Sequence, residues 1–333
     1  MAGNLSLTRE YQRIFSIAKD QVEPIIFDNA SARTPTLFRY KDMGAIIRTG
    51  GRPHLRFNIL KELPTTAAYT DLDVITPSRG DPVTSVVYEW KQLQCPVQMS
   101  GLDLIKTGEG SEVNLLELFL QSAEISLRDG LGGSALGIFS DAGESDLTKV
   151  TGLQNALTTT PTTGTVGQLS RASQTNWRHQ TQNALNDFSA NGLNSFRTLY
   201  RQCARHDENV DTIALNGSTY DNLLRDLTST FQVNMPMMGF GPGNARLIDA
   251  GFQNVSYNGA AVFPDDGVPA DRGYFLNVAK YVRLYVREGR DVEMGDFVKS
   301  RDRDDLVTFL FWAGNQVFLN LARIGLIYNT DTY

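Results

Sequence analysis

The chain has 333 residues, enough to bury a large core as one or two domains. Its formal net charge is -6, with 20% charged and 41% hydrophobic residues. That balance is that of an ordinary soluble protein and sets aside a broad basic surface for gripping nucleic acid. The first thirty residues carry Arg9, Arg13, Lys19, Asp20 and Glu23 without an apolar core segment, so no signal peptide is expected.

Residues 1–45 read as an N-terminal arm. Leu7, Tyr11, Ile14, Phe15 and Ala18 recur at helical spacing, and Pro24, Pro35 and polar residues without a period follow. Such a segment buries little against itself and should lie on its own body or on a neighbouring chain. Residues 46–100 read as an extended β-hairpin. Leu55, Phe57 and Ile59 alternate with polar residues going out, and Val86, Tyr88 and Trp90 return. The tip from Lys61 to Pro82 is long and rich in Thr, Asp, Pro and Gly. A two-stranded arm has too little core to stand alone, and a connection of that length usually binds something. A docking contact with an adjacent subunit is therefore expected through Lys61, Pro64, Tyr69, Asp71, Asp73 and Arg79.

After Gln92 the apolar phase slips to Leu93, Cys95, Val97 and Met99. A bulge or bend is expected there, where the strand leaves one partner for another. Ser111 then offers an N-cap to a helix over 112–128. Val113, Leu116, Leu120, Ala123 and Leu127 form one stripe, broadened by Leu115, Leu118, Phe119 and Ile125, so burial between layers is expected. Gly130, Gly132 and Gly133 should end it.

A polar connection, 140–146, and a Thr/Gly-rich loop, 158–167, lead to a second helix marked by Leu193, Phe196, Leu199, Tyr200 and Cys203. A short strand, 212–215, precedes a third helix capped by Asn216 and Ser218. Strands near Val255, Val262 and 281–286 follow. Residues 306–322 carry no charge, but Thr308, Asn315, Gln316 and Asn320 interrupt the apolar run. A buried strand pair or one long bent strand is expected there, not a membrane helix.

The motifs that carry chemistry are weak. Gly239-Phe-Gly-Pro-Gly243 lacks the strand, the spacing and the Lys-Ser/Thr of nucleotide loops. His54, His179 and His206 lie in unrelated segments and read as surface or satisfied histidines. Asp71-Leu-Asp73 and Asp265-Asp266-Gly267 read as turns, and Cys95 and Cys203 as buried free thiols. The mixed run Arg301-Asp302-Arg303-Asp304-Asp305 reads as a solvated loop or, more sharply, as a salt-bridging contact between subunits. No catalytic, cofactor or metal residue is assigned, and nothing asks for an enzyme.

The order of parts resembles the major capsid protein of tailed bacteriophages, an α+β chain with the Hong Kong 97-like fold. Glu89-Trp-Lys-Gln92 before Val97-Gln-Met-Ser-Gly101 looks like the return of that family's extended loop (E-loop). Gly152-Leu-Gln154, Gly164-Thr-Val-Gly167, Arg171-Ala172 and Trp177-Arg178 are similar to a segment in one branch of it. Ser218-Thr-Tyr220, Gly251-Phe252, Asn277, Gly314-Asn315 and Gly325-Leu-Ile327 also match. The resemblance implies an N-arm, 1–45; an E-loop, 46–100; a peripheral (P) domain, 101–205, with spine helix 112–128; an axial (A) domain, 206–304; and a C-terminal strand, 305–333, returning to the P-domain. It implies pentamers and hexamers in an icosahedral virion shell, assembled in the host cytoplasm around non-specifically contacted double-stranded DNA. It also implies a separate scaffolding protein, a portal and a decoration protein. Some members crosslink an E-loop lysine to a neighbour's asparagine; Lys61 is placed at the base of the hairpin, but neither acceptor nor catalytic acid matches, so that chemistry is not carried over. The alternatives are an encapsulin-type compartment and, from another class, a soluble α+β enzyme.

Overall fold

The computed structural model describes residues 34–61, 66, 68–71, 82–100, 112–185, 187–205, 208–230, 255–299 and 304–331. The helix expected near Leu7–Ala18, the Ser111 cap, the glycine-rich stretch 239–243, and His206 lie outside the described residues.

The first described element is a helix, α1, Pro35–Asp42, which the sequence reading missed. Its opening proline is suited to a first helical turn, whose N–H needs no helical acceptor. Thr36, Leu37, Arg39 and Tyr40 are buried. The Asp265 carboxylate accepts from the Thr36 N–H at 3.0 Å, and Arg39 donates to Thr212 and to the Asp211 carbonyl. Residues 34–45 are thus pinned to the body.

Strands β1 (Ile46–Thr49), β2 (Leu55–Leu60), β3 (Val83–Tyr88) and β4 (Lys91–Ser100) follow. Only β2 and β3 make a two-stranded hairpin, in register from Leu55 opposite Tyr88 to Leu60 opposite Val83. β1 and β4 belong to a larger sheet. The expected phase slip is real. The ladder breaks at Glu89-Trp90, and β4 then buries Lys91, Leu93, Cys95, Val97 and Met99 against a new partner. Among the described residues β4 is an edge strand, where Pro96 is tolerated because no further described ladder needs its missing donor.

Helix α2, Glu112–Gly132, runs four residues past the expected end. Among its described side chains Leu120, Ala123, Leu127 and Leu131 are buried, a stripe of period three to four, whereas Ile125 is 42% exposed. The expectation of burial between layers is corrected: one face packs on β4 and the opposite face is open.

Short helix α3 (Leu153–Ala156), strands β5 (Thr165–Val166), β6 (Leu169–Ser170) and β7 (Gln180–Asn183), and helix α4 (Phe188–Cys203) come next. Asp187 caps α4 by accepting from the Ala190 N–H at 3.1 Å. β8 (Thr212–Leu215) leads into α5 (Gly217–Thr230), capped as expected by Asn216, which accepts from the Ser218 N–H at 3.1 Å. The chain ends with β9 (Val255–Tyr257), β10 (Ala260–Pro264), β11 (Arg272–Leu276), β12 (Val282–Arg287), β13 (Glu293–Met294), β14 (Val298–Lys299), β15 (Asp305–Phe318) and β16 (Gly325–Tyr328).

Twelve of the sixteen described strands form two six-stranded sheets; β5 pairs with β6 apart from them, as β2 does with β3. In the first, the 14-residue β15 is central: β4 pairs along one side of it, and β12, β13 and β14 take turns along the other. The charge-free run at 306–322 is therefore mostly one long buried strand, and no described helix is long and apolar enough to cross a membrane. The second sheet has the order β7-β16-β11-β8-β10-β9. Its strands alternate between two cores. Ala214, Phe263, Tyr274 and Leu326 face the core shared with the first sheet, whereas Ile213, Leu215, Val262, Phe275 and Ile327 face α4 and α5.

Candidate assembly surface

The hairpin is fastened to the body by a buried polar joint. Lys91 follows the break in the ladder, and its ammonium donates to the carbonyls of Gly143 and Glu144, at 3.3 and 3.2 Å, and of Asp146. Burial pulls its pKa down, against the pull of Glu144 and Asp146. The Glu144 carboxylate accepts from the Glu89 N–H at 2.9 Å and the Thr151 hydroxyl at 2.6 Å. Burial pushes its pKa up. Asn315 on β15 accepts from the Thr151 N–H and donates to the Glu89 carbonyl, at 2.9 and 2.7 Å. The connection expected only as a polar link thus seats the start of the hairpin. At the solvent side His54 meets Glu89 at 2.7 Å.

The paired strands lie down on their own chain. Val86 and Tyr88 are fully buried, the Tyr88 hydroxyl donates to the Phe318 carbonyl at 2.9 Å, and the Val87 N–H donates to Gly167 at 3.1 Å. Gly167 sits at a turn with φ of +58°, and a Cβ there would come within 3.0 Å of Tyr88 and Val86, so the close approach needs glycine.

Beneath the hairpin end is a rigid support. Arg171, buried, donates to the Ala156 carbonyl at 3.0 Å and to His179 Nδ1 at 3.1 Å. An arginine can only donate, so Nδ1 is the acceptor and Nε2 carries the proton, which it gives to the Thr158 carbonyl at 2.7 Å. Burial and the nearby guanidinium hold the His179 pKa down to about 4. It is a satisfied core histidine, as expected. Trp177, two residues away, donates to the Val166 carbonyl at 3.1 Å. Its neighbour Asn176 reaches the Lys61 carbonyl at 2.6 Å, fixing the point where β2 gives way to the tip.

Between the hairpin and the body lies a groove of about 1180 Å³. One wall is the consecutive run Phe57–Lys61; the other is built from the segment around Trp177 and the C-terminal end of α4. Its charge runs against the acidic average of the chain. Arg197 and Arg201 are exposed on one side of α4, and Arg205, also exposed, follows beyond Ala204, whose extended backbone ends the helix. Arg201 and Arg205 line the groove and have no carboxylate partner among the described residues, whereas Arg323 is paired with Glu208 at 3.0 Å. The sequence reading missed these arginines.

Lys61 is half-buried and lines the groove. Tyr69, 71% exposed, and Asp71, also exposed, do not line it. Pro64, Asp73, Arg79, Arg301, Asp302 and Arg303 lie outside the described residues. Close in sequence to the last three, Val298 is 64% and Phe309 38% exposed, an apolar patch at the end of the first sheet. The two cysteines are buried and free, and burial raises the Cys203 thiol well above its usual range. The groups described here hold one another.

No protein-family model and no curated protein matches the chain. Solved structures do. A chain of the cyanophage A-1(L) capsid aligns with a TM-score of 0.69 at 15% identity, over 90% of this chain and 94% of that one. A capsid chain of the native GTA particle aligns at 0.58 and 9% identity, over 87% and 89%. The SrpI encapsulin of Synechococcus elongatus aligns at 0.51 and 13% identity, over 86% and 85%. The chain has the Hong Kong 97-like fold of tailed-phage capsid proteins, as the order of its parts implied.

Proposed function

We propose that this chain is the major capsid protein of a tailed phage, assembling into the pentamers and hexamers of an icosahedral head around double-stranded DNA. The observation that carries the reading is the near end-to-end correspondence with a cyanophage capsid chain, 90% of this chain on 94% of the other. The buried polar groups support a structural role without catalysis: Lys91, Glu144, Arg171 and His179 are all engaged in joining segments. On this reading the protein resides in the virion, after assembly in the host cytoplasm with a separate scaffolding protein, a portal and a decoration protein. The expected P-domain, A-domain and E-loop boundaries belong to the same proposal, as do the inter-subunit contacts through the tip and the 301–303 run.

A second reading is a protein compartment, favoured by the encapsulin likeness at 13% identity. The contents of particles separate the two. Shells taken from cells in which the protein is made with its neighbouring genes should hold nuclease-protected duplex DNA. A single co-purifying protein cargo with no nucleic acid would favour the compartment.

A further inference from the structure

We infer that the groove between the hairpin and α4 is a binding site for a compact, multivalent oxyanion, an oligophosphate or a tricarboxylate. Five cationic side chains line it, Lys61, Arg178, Arg201, Arg205 and Arg323, against one carboxylate, Glu208. That carboxylate is engaged within the chain: it accepts from Arg323 Nε at 3.0 Å and from the Tyr281 hydroxyl. Lys61, Arg178, Arg201 and Arg205 have no carboxylate partner among the described residues. Four uncompensated positive charges thus line one concavity of a chain whose net charge is -6. Like charges held together repel one another, and a bound anion removes that cost.

One of the four is already set. Arg178 Nε donates to the Arg171 carbonyl at 2.8 Å, and a terminal nitrogen donates to the Ala172 carbonyl at 3.0 Å. Neutral carbonyls fix the guanidinium but leave its charge unmet. A donor held in advance loses less freedom when the anion arrives. Arginine forks match the paired oxygens of phosphate and carboxylate groups. A singly charged anion would meet only a quarter of the charge, so the fit is to several linked oxyanion groups. The groove, about 1180 Å³, has the scale of a small-molecule site, for which roughly 300–1,000 Å³ is usual. Lys61 stands on the hairpin wall and the three arginines on the other, so the anion bridges the two walls. A nucleic acid duplex is gripped along an open basic face, which a two-walled groove does not offer.

The test is calorimetric titration of sodium triphosphate into the full-length unassembled chain at fixed, near-physiological ionic strength, repeated with citrate and with sulfate. Triphosphate or citrate should bind saturably at a single site and raise the unfolding temperature, with sulfate about tenfold or more weaker. The tighter of the first two tells a phosphate ligand from a carboxylate one. Arg201→Gln/Arg205→Gln changes two exposed side chains, so it should unfold like the parent without ligand and bind about tenfold or more weakly. Lys61→Gln should weaken binding from the opposite wall, which keeps the test open if the double variant fails to fold. Arg197→Gln removes the same charge from α4 but outside this groove, and should bind within about twofold of the parent because exposed charges are screened over a short distance. No saturable binding by the parent, unchanged binding by the groove variants, or an equal loss in the Arg197 variant overturns the inference. The outcome is independent of whether the chain closes shells.

Discussion

The Lys91 ammonium exchanges water for three backbone carbonyls in the turn at 143–146. A methionine there keeps most of the volume and leaves those carbonyls without their donor. Buried polar groups left unpaired cost about 1–3 kcal/mol each, less where water enters. Lys91→Met is expected to lower the stability of the unassembled chain by about 2 kcal/mol or more, read as a shift in the urea midpoint at constant slope. An unchanged midpoint would show that the joint does not depend on the ammonium. His179 gives a second test, through pH. Its folded pKa, about 4, lies below the ordinary value of 6.5, so the unfolded chain binds the proton first as pH falls. The stability that neutral His179 confers is complete above pH 6.5 and is lost as pH falls toward 4, a swing of about 3 kcal/mol. The buried carboxyls of Glu144, Asp211 and Asp265 are raised and act in the opposite sense. The readout is therefore the difference between parent and His179→Gln, which should narrow on acidification through that window; parallel curves would contradict it.

At the scale of elements, α2 carries the clearest stability prediction. Leu120 is 5% exposed on the stripe that packs against β4, so Leu120→Ala should cost about 2–5 kcal/mol and reduce the soluble yield of the single chain. Ile125→Ala, on the open face, should stay within about 0.5 kcal/mol. Equal effects would place the helix between two layers after all. The contrast shows what periodicity does and does not convey. The slip between Tyr88 and Leu93 announced a change of partner because side-chain parity is tied to which face is buried. The stripe on α2 was legible, but its width was overread: Ile125 is apolar and still exposed, since burial depends on what packs above it. α1 was illegible for the opposite reason. Its eight residues are too few to show a period, and its place is fixed by Asp265, 229 positions away. The joint at Lys91 was hidden in the same way: a lysine in a strand reads as a solvent-facing charge until the carbonyls of a distant loop enclose it.

For the whole molecule, the order of hairpin, long helix and second sheet was readable because each part is long and locally patterned. The surfaces that act were less so. Of the residues expected at subunit contacts, Lys61 falls at the groove, while Tyr69 and Asp71 stand in solvent. Arg201 on α4 and Arg205 just beyond it line a groove only because the hairpin lies beside them. Replacing Pro64–Ser78 by a short Gly-Ser linker leaves β2, β3 and their seat on the body in place. That variant should remain folded, with the parent's unfolding temperature before assembly, and fail to close shells; normal particles would remove the tip from the assembly mechanism.

That the chain closes a shell at all is the claim on which the rest depends, and sedimentation velocity of the purified full-length protein tests it most directly. The account predicts a fast, sharp boundary of closed particles in equilibrium with, or assembled from, a slow species of single chains or capsomers. Electron micrographs of the fast fraction should show round shells of uniform diameter. A protein that stays in one slow boundary of a few chains across concentration, salt and crowding agents, with or without a co-expressed scaffolding protein, would contradict the account.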